Sequence, residues 1–310
     1  MTTLRQAAED YLALRRSMGF QLAVPGHQVQ QFADHLDALA ATHVTIDLAV
    51  AWATQPVGAA PCYQWLRLNA IRGFAGYLHG IDPAHQVPPA DLLPRDNHRP
   101  SPYLLSAADI AALIDAAGTL RPALHAATYQ TLIGVLAVAG LRPSEALTLD
   151  ITDVDLHNGV LTVHGKYGKT REILLHPSTV SELAGYTQFR DRTFPHRADT
   201  SFFVSVLGTR LNLRRVHYVF TRLTGQAGLR PRSGRCKAVP MSLRHSFAVA
   251  TLITWYQDGV DVDAHMPLLS TWLGHVDPAD TFWYISSAPE LLALAAERMT
   301  RLYNAPEETS

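Results

Sequence analysis

The sequence predicts a mainly α-helical protein of two domains, with a small antiparallel β-sheet in the second. Three observations lead there. Apolar residues recur three and four apart along most of the chain, a proline-rich stretch interrupts that pattern, and one later segment switches to short alternating runs. At 310 residues the chain is about twice a typical domain in length, enough for two separate cores.

In "HQVQQFADHLDALA" the residues Val29, Phe32, Leu36 and Leu39 fall three or four apart, and "YQWLRLNAIRGFAGYLHG" repeats this with Trp65, Leu68, Ile71, Phe74 and Leu78. Each stripe buries one face of a helical bundle over residues 1–88. The stretch "QVPPADLLPRDNHRPSPY" then holds five prolines in 18 residues, which no helix interior or central strand tolerates, and predicts an extended linker over 89–102. The second domain, 103–310, opens on a capping box, with Ser106 and Asp109 starting the helix "AADIAALIDAA". A further helix over about 122–139 ends at Gly140. The stretch "LTLDITDVDLHNGVLTVHGKYGKTREILLH" changes period and is broken at Asn158-Gly159 and between Gly165 and Gly168, which predicts a three-stranded antiparallel meander. Helical signals return from Ser178 and continue over 212–226, 241–257, 264–273 and 289–302.

Composition narrows the classes. Charged residues make up 17% and hydrophobic residues 47%, as in folded globular proteins. The longest apolar run, at 131–141, is far short of the roughly 20 residues of a membrane helix. The N-terminus "MTTLRQAAED" lacks the apolar segment of a signal peptide, so a cytoplasmic protein with no membrane association is expected. Cys62 and Cys236 lie far apart without CxxC spacing, and the 15 histidines include no HExxH pair. Neither a metal site nor a cofactor is expected.

A net charge of −1 argues by itself against nucleic acid, but the charges are unevenly spread. From Thr200 to Gln257 there is no Asp or Glu, while Arg210, Arg214, Arg215, Arg222, Arg230, Arg232, Arg235, Lys237 and Arg244 all fall there. Such a window gives a local positive field able to hold a polyanion, and all but Arg244 are candidate DNA contacts. A solvated basic face without a partner is the alternative.

Four places combine charge with turn signals. In "AGLRPSEALTL", Arg142 follows a helix end and Glu145 lies three positions on, so the carboxylate can hold the guanidinium from behind; a structural ion pair fits equally. In "HGKYGKTREI" a Gly-rich turn presents Lys166 and Lys169. In "VPMSLRHSFAVATL", Arg244 and His245 start an apolar helix, and in "LGHVDPADTFWYIS", His275 sits on a Gly turn nine residues before Tyr284. Two arginines, a lysine, a histidine and a tyrosine suit phosphoryl transfer, which needs charge neutralised on nonbridging oxygens, a nucleophile and an acid. No acidic cluster for magnesium accompanies them, so the arginines would do the work that metals do elsewhere.

"GLRPSEALTL", "GKYGKTREILL", "LRHSFA" and "LGHVDPADTFWYI" together resemble the motifs of the tyrosine recombinase, or phage integrase, family, in the family's order over about 103–300. The resemblance implies an α+β catalytic domain after a helical core-binding domain, and an enzyme that cuts and rejoins double-stranded DNA at specific sites. Tyr284 would be the nucleophile, forming a 3′-phosphotyrosine and freeing a 5′-hydroxyl. Arg142 and Arg244 would clamp the phosphate, with Glu145 supporting the first. His275 would hydrogen-bond the phosphate, and Lys166, in preference to Lys169, would protonate the leaving oxygen. The implied assembly is a homo- or hetero-tetramer of recombinases on two DNA sites, in the cytoplasm at the nucleoid, with the C-terminal helix able to dock on a neighbour.

One position departs from the family pattern. Met241 stands where the family usually has a histidine three residues before the second arginine, and a thioether cannot donate a hydrogen bond to phosphate. His245 is a candidate to compensate. Three other readings stay open on sequence: a catalytically impaired DNA-binding relative acting as an accessory subunit, a type IB topoisomerase-like relaxer, and a non-enzymatic helical partner-binding protein.

Overall fold

The computed structural model describes residues 3–95, 101–165 and 168–303. The chain divides into two compact units, residues 1–99 and 100–310.

The first unit holds helices α1 (Leu4–Ser17), α2 (Ala23–Ala38), α3 (Ile46–Thr54) and α4 (Pro61–Ile81). Thr3 and Thr45 cap α1 and α3 by accepting from the amides of Gln6 and Leu48, and Pro61 opens α4 where its missing N–H costs nothing. Val29, Phe32 and Leu36 share one core with Leu12, Trp52, Ile71, Phe74 and Leu78. Leu39 departs from the expected stripe: α2 ends at Ala38, the chain reaches positive φ at Ala40, and Leu39 is left 52% exposed. Residues 86–95 form neither helix nor strand. They still belong to this unit, because Gln86 accepts from the Ile46 amide and Leu93 packs against the helical core.

The second unit begins with α5 (Ala107–Gly118), opened by the Ser106–Asp109 capping box, and α6 (Ala123–Ala139), closed by Gly140. After α7 (Pro143–Thr148) come β1 (Val154–Asp155), β2 (Val160–His164) and β3 (Thr170–Leu174). They form an antiparallel sheet in sequence order, with Val154 opposite Leu161 and Leu161 opposite Ile173. Gly159, at φ +68°, makes the β1–β2 turn that Asn158-Gly159 predicts. Helices α8 (Pro177–Thr193), α9 (Leu213–Gln226), α10 (Pro240–Gln257), α11 (Val262–Leu273), α12 (Ala279–Ser287) and α13 (Pro289–Tyr303) complete it. The protein is thus mainly helical with a three-stranded antiparallel sheet, as the periodicities predict. The stretch after Pro278 is helical.

Two apolar clusters fill this unit. One joins α5, α6, the sheet, α8 and α9 through residues such as Leu113, Leu136, Leu161, Ile173 and Phe220. The other joins α10 to α13 through Leu252, Met266, Leu269, Tyr284, Ala288 and Leu291. Leu291 thereby seats the start of α13 on its own unit. Helix α10 contributes Leu243 to the first cluster and Ala248 to the second, so Arg244 and His245 lie at the seam between them. No helix among the described residues is long and apolar enough to cross a membrane.

Candidate active site

The seam gathers charge around one buried carboxylate. Gly140 ends α6 at φ +63°, and Arg142 becomes the N-cap of α7, with Pro143 in the first helical position. Glu145, at the third, folds back: Oε2 accepts from the Arg142 amide at 3.0 Å and Oε1 from Arg142 Nη1 at 2.7 Å. The same carboxylate takes the Arg171 fork at 2.8 and 3.3 Å, and Arg244 Nη1 stands 4.0 Å from Oε2. Burial pushes the Glu145 carboxyl up, but the Arg171 hydrogen bonds, the Arg142 amide and the arginine charges outweigh it and hold it below its ordinary value. Three guanidiniums around one carboxylate leave the cluster net cationic, which suits an anion.

The two sequence-predicted arginines are held differently. The Arg142 side chain is 32% exposed, and both its terminal nitrogens face the Gly274 carbonyl at 3.3–3.4 Å. Arg244 is buried and donates to the Gly140 carbonyl at 2.9 Å, the Leu273 carbonyl at 2.8 Å and His275 Nε2 at 2.8 Å. These carbonyls end α6 and α11, where the helix dipoles favour a cation. Burial lowers the Arg244 pKa to about 10, with the Arg142 charge adding to the drop, so the guanidinium stays charged at neutral pH.

The His275 tautomer follows from its partners. A guanidinium cannot accept, so Nε2 accepts from Arg244, and Nδ1–H donates to the hydroxyl of buried Thr281 at 2.6 Å. Tyr284 on α12 stacks over the His275 ring at 6.3 Å between centroids and 16° between planes. Its hydroxyl lies 3.1 Å from His245 Nδ1, and the tyrosine is only 1% exposed. Met241 sits one helical turn before His245 on α10.

The fold therefore brings together Arg142, Glu145, Arg244, His245, His275 and Tyr284 from three separated motifs. Lys166 lies outside the described residues. The Gly165 amide donates to the Lys169 carbonyl at 2.7 Å, and Lys169 is exposed. Of the basic window, Arg214, Arg215, Arg222, Arg230, Arg232, Arg235 and Lys237 are exposed. Arg210 is committed elsewhere, bound to the Leu147 and Leu149 carbonyls and to Asp150. Among the described residues no group of three or more His, Cys, Asp or Glu is placed to hold a metal ion.

Sequence reasoning missed Arg171. Its Nε donates to the Trp272 carbonyl at 2.7 Å, so one side chain ties β3 to Glu145 and to the end of α11. The available signal was alternation: Arg171 shares the inward face of β3 with Ile173, where a charge needs a partner. Gly274 fits against it at φ +67°, and a Cβ there would stand 2.6 Å from Arg171 Nη1. Gly274→Ala is expected to cost about 1–2 kcal/mol from the backbone conformation alone. It should also displace the Arg171 fork; a melting temperature equal to wild type would show that the turn relaxes freely.

A helical scaffold edged by a small sheet thus carries a cationic cluster beside a phenol. Residues 104–290 match the model of the phage integrase family. The chain is 40% identical to y4rB of Sinorhizobium fredii, an integrase/recombinase by name, over 97% of this chain and 98% of that protein. It is 32% identical to the tyrosine recombinase XerC of Azotobacter vinelandii, over 70% of this chain and 67% of that one. The chain belongs to the phage integrase family of tyrosine recombinases. Its fold resembles the Tn1549 transposon integrase in complex with transposon right end DNA, with a TM-score of 0.64 at 17% identity over 96% of this chain and 99% of that one. It also resembles XerH bound to palindromic difH substrate, with a TM-score of 0.63 at 20% identity over 89% and 78%.

Proposed function

We propose that the chain is a site-specific DNA recombinase that cuts and rejoins DNA through a 3′-phosphotyrosine on Tyr284. The observation that carries this reading is a chain of contacts: Arg142 and Arg244 lie on the Glu145 carboxylate, His275 meets Arg244, and Tyr284 stacks on His275. Arg142, the more exposed guanidinium, meets the scissile phosphate first, and Arg244 supplies a preorganised charge that costs no rearrangement when the phosphorane forms. His275 donates to a nonbridging oxygen once Nε2 is released from Arg244 and protonated. Lys166 delivers a proton to the leaving 5′ oxygen. The guanidiniums supply the charge stabilisation for which other phosphoryl-transfer enzymes use a metal.

Residues 1–88 act as the core-binding domain and 103–310 as the catalytic domain, with the 89–102 linker between them packed on the first through Leu93, so that both engage one duplex. The exposed arginines of the 214–235 region and Lys237 contact the DNA backbone. The working unit is a tetramer of this chain or of this chain with sister recombinases, acting on nucleoid DNA in the cytoplasm. The likeness in fold to a lambda integrase tetramer bound to a Holliday junction, with a TM-score of 0.62, supports that assembly. Because Tyr284 is buried, α12 shifts when DNA binds, and the free protein is held unreactive.

The test is covalent capture. The full chain is expressed beside the DNA that flanks its own gene, the cells are lysed in detergent, and protein-bound DNA is recovered and sequenced. Adducts should map to one short site and vanish in Tyr284→Phe, while that variant retains DNA binding. DNA binding without adduct, even beside sister recombinases, would favour the accessory-subunit reading, for which Met241 is the sequence motive.

A further inference from the structure

The tyrosine hydroxyl meets an imidazole that sequence spacing did not single out for it. His275 lies beneath the Tyr284 ring face, and its two nitrogens serve Arg244 and Thr281. His245 approaches from the side, with Nδ1 3.1 Å from the phenolic oxygen. Its ring is also held edge-on against Trp283, at 5.7 Å between centroids. Positions 241 and 245 are four apart on α10, hence about 40° apart around the axis and one turn apart along it. The thioether of Met241 has no proton to give and no basic nitrogen. His245 therefore presents on that same stripe of the helix the basic nitrogen that Met241 lacks.

We infer that His245 is the proton acceptor for Tyr284. Resting on the assignment of Tyr284 as nucleophile, the step balances as follows. With His245 in its Nε2–H tautomer, the phenol donates to Nδ1. The O–H bond breaks, the proton passes to Nδ1, and the phenolic oxygen forms its bond to phosphorus. The bond from phosphorus to the 5′ oxygen breaks, and that oxygen leaves with the electron pair and takes a proton from Lys166. On rejoining, the 5′-hydroxyl returns its proton to Lys166 while attacking phosphorus, and the phenolic oxygen leaves and recovers its proton from His245. The division of labour is then fixed by position on α10: Arg244 faces the phosphate, and the next residue, about 100° around the helix, faces the nucleophile.

The experiment uses the full chain and a supercoiled plasmid carrying the DNA that flanks its own gene. Detergent-stable adduct is followed in time, alongside DNA binding by mobility shift and thermal melting. His245→Asn places an amide near the position of Nδ1, which can hydrogen-bond the phenol but cannot take its proton. Adduct formation should slow on the order of a hundredfold with binding and melting unchanged. Adding Met241→His to that variant should recover at least about tenfold, because a basic nitrogen returns one turn away on the same stripe. Cleavage by His245→Asn at the wild-type rate or faster would falsify the role and make His245 a latch on the resting tyrosine; a double variant no faster than His245→Asn also overturns it. Wild-type adduct that is absent, or that persists in Tyr284→Phe, removes the nucleophile itself and with it any acceptor.

Discussion

Arg244→Lys is expected to leave a folded protein that binds DNA and forms covalent adduct more slowly by a factor on the order of 10²–10³. The guanidinium reaches the Gly140 carbonyl, the Leu273 carbonyl and His275 Nε2 at once, all within 2.9 Å. An ammonium is a point charge on a shorter stem and cannot span three acceptors arranged for a planar fork. It keeps the charge but loses the fixed directions that stabilise a phosphorane. Arg244→Met removes the charge as well, leaving two helix-terminal carbonyls without their donor and Glu145 with one fewer cation. That change should cost about 3–5 kcal/mol, a fall in melting temperature on the order of 10 °C for a unit of this size. Calorimetry on both variants checks the pair. If the methionine variant melts with wild type, Arg244 does not hold the seam, and any loss of cleavage belongs to the phosphate alone.

Glu145→Gln should be nearly as severe, for the opposite reason. The amide keeps the shape of the side chain but leaves Arg142, Arg171 and Arg244 without their shared anion, and breaking a buried ion cluster in this way costs about 3–5 kcal/mol. The pH dependence identifies the cause. The Glu145 carboxyl is held below its ordinary value of 4.5, so it binds its proton less readily in the folded state than in the unfolded one. Its contribution is then fully present above that ordinary value and is lost as pH falls through the folded value. The melting temperatures of wild type and Glu145→Gln should differ most near neutral pH and converge below about pH 4.5. Other carboxylates with lowered pKa values, such as Asp150 and Asp199, titrate in both proteins and cancel in the difference. A constant gap from pH 7 to pH 3 would mean that the carboxylate charge is not what stabilises the cluster.

The sequence was most informative where a local rule acts within a few residues. The Ser106–Asp109 box needs only a three-residue reach, and the Asn158-Gly159 turn only a residue that tolerates positive φ. The apolar stripes of α2 and α4 follow from the helical period, and they fail at Leu39 because periodicity does not say where a helix stops. At the site, Arg142, Glu145, Arg244, His275 and Tyr284 were legible as motifs, each marked by a turn or helix start beside a charge or a phenol. Arg171 was not, since an arginine on a strand looks like surface until its inward neighbours are known. Nor was the fate of Arg210, which reads as one more cation of the basic window and instead braces the end of α7.

By itself, then, the sequence determined the helical class, the small sheet, the family motifs and the residue types available for chemistry, because each depends on spacings shorter than a few helical turns. Only the tertiary structure decided which carbonyls restrain the arginines, that Glu145 is shared, that Tyr284 is buried in the free chain, and that His245 rather than His275 meets its hydroxyl. Those are contacts across 26 to 132 residues of chain. They are set by how two apolar clusters close against each other along α10, and no local rule carries that information.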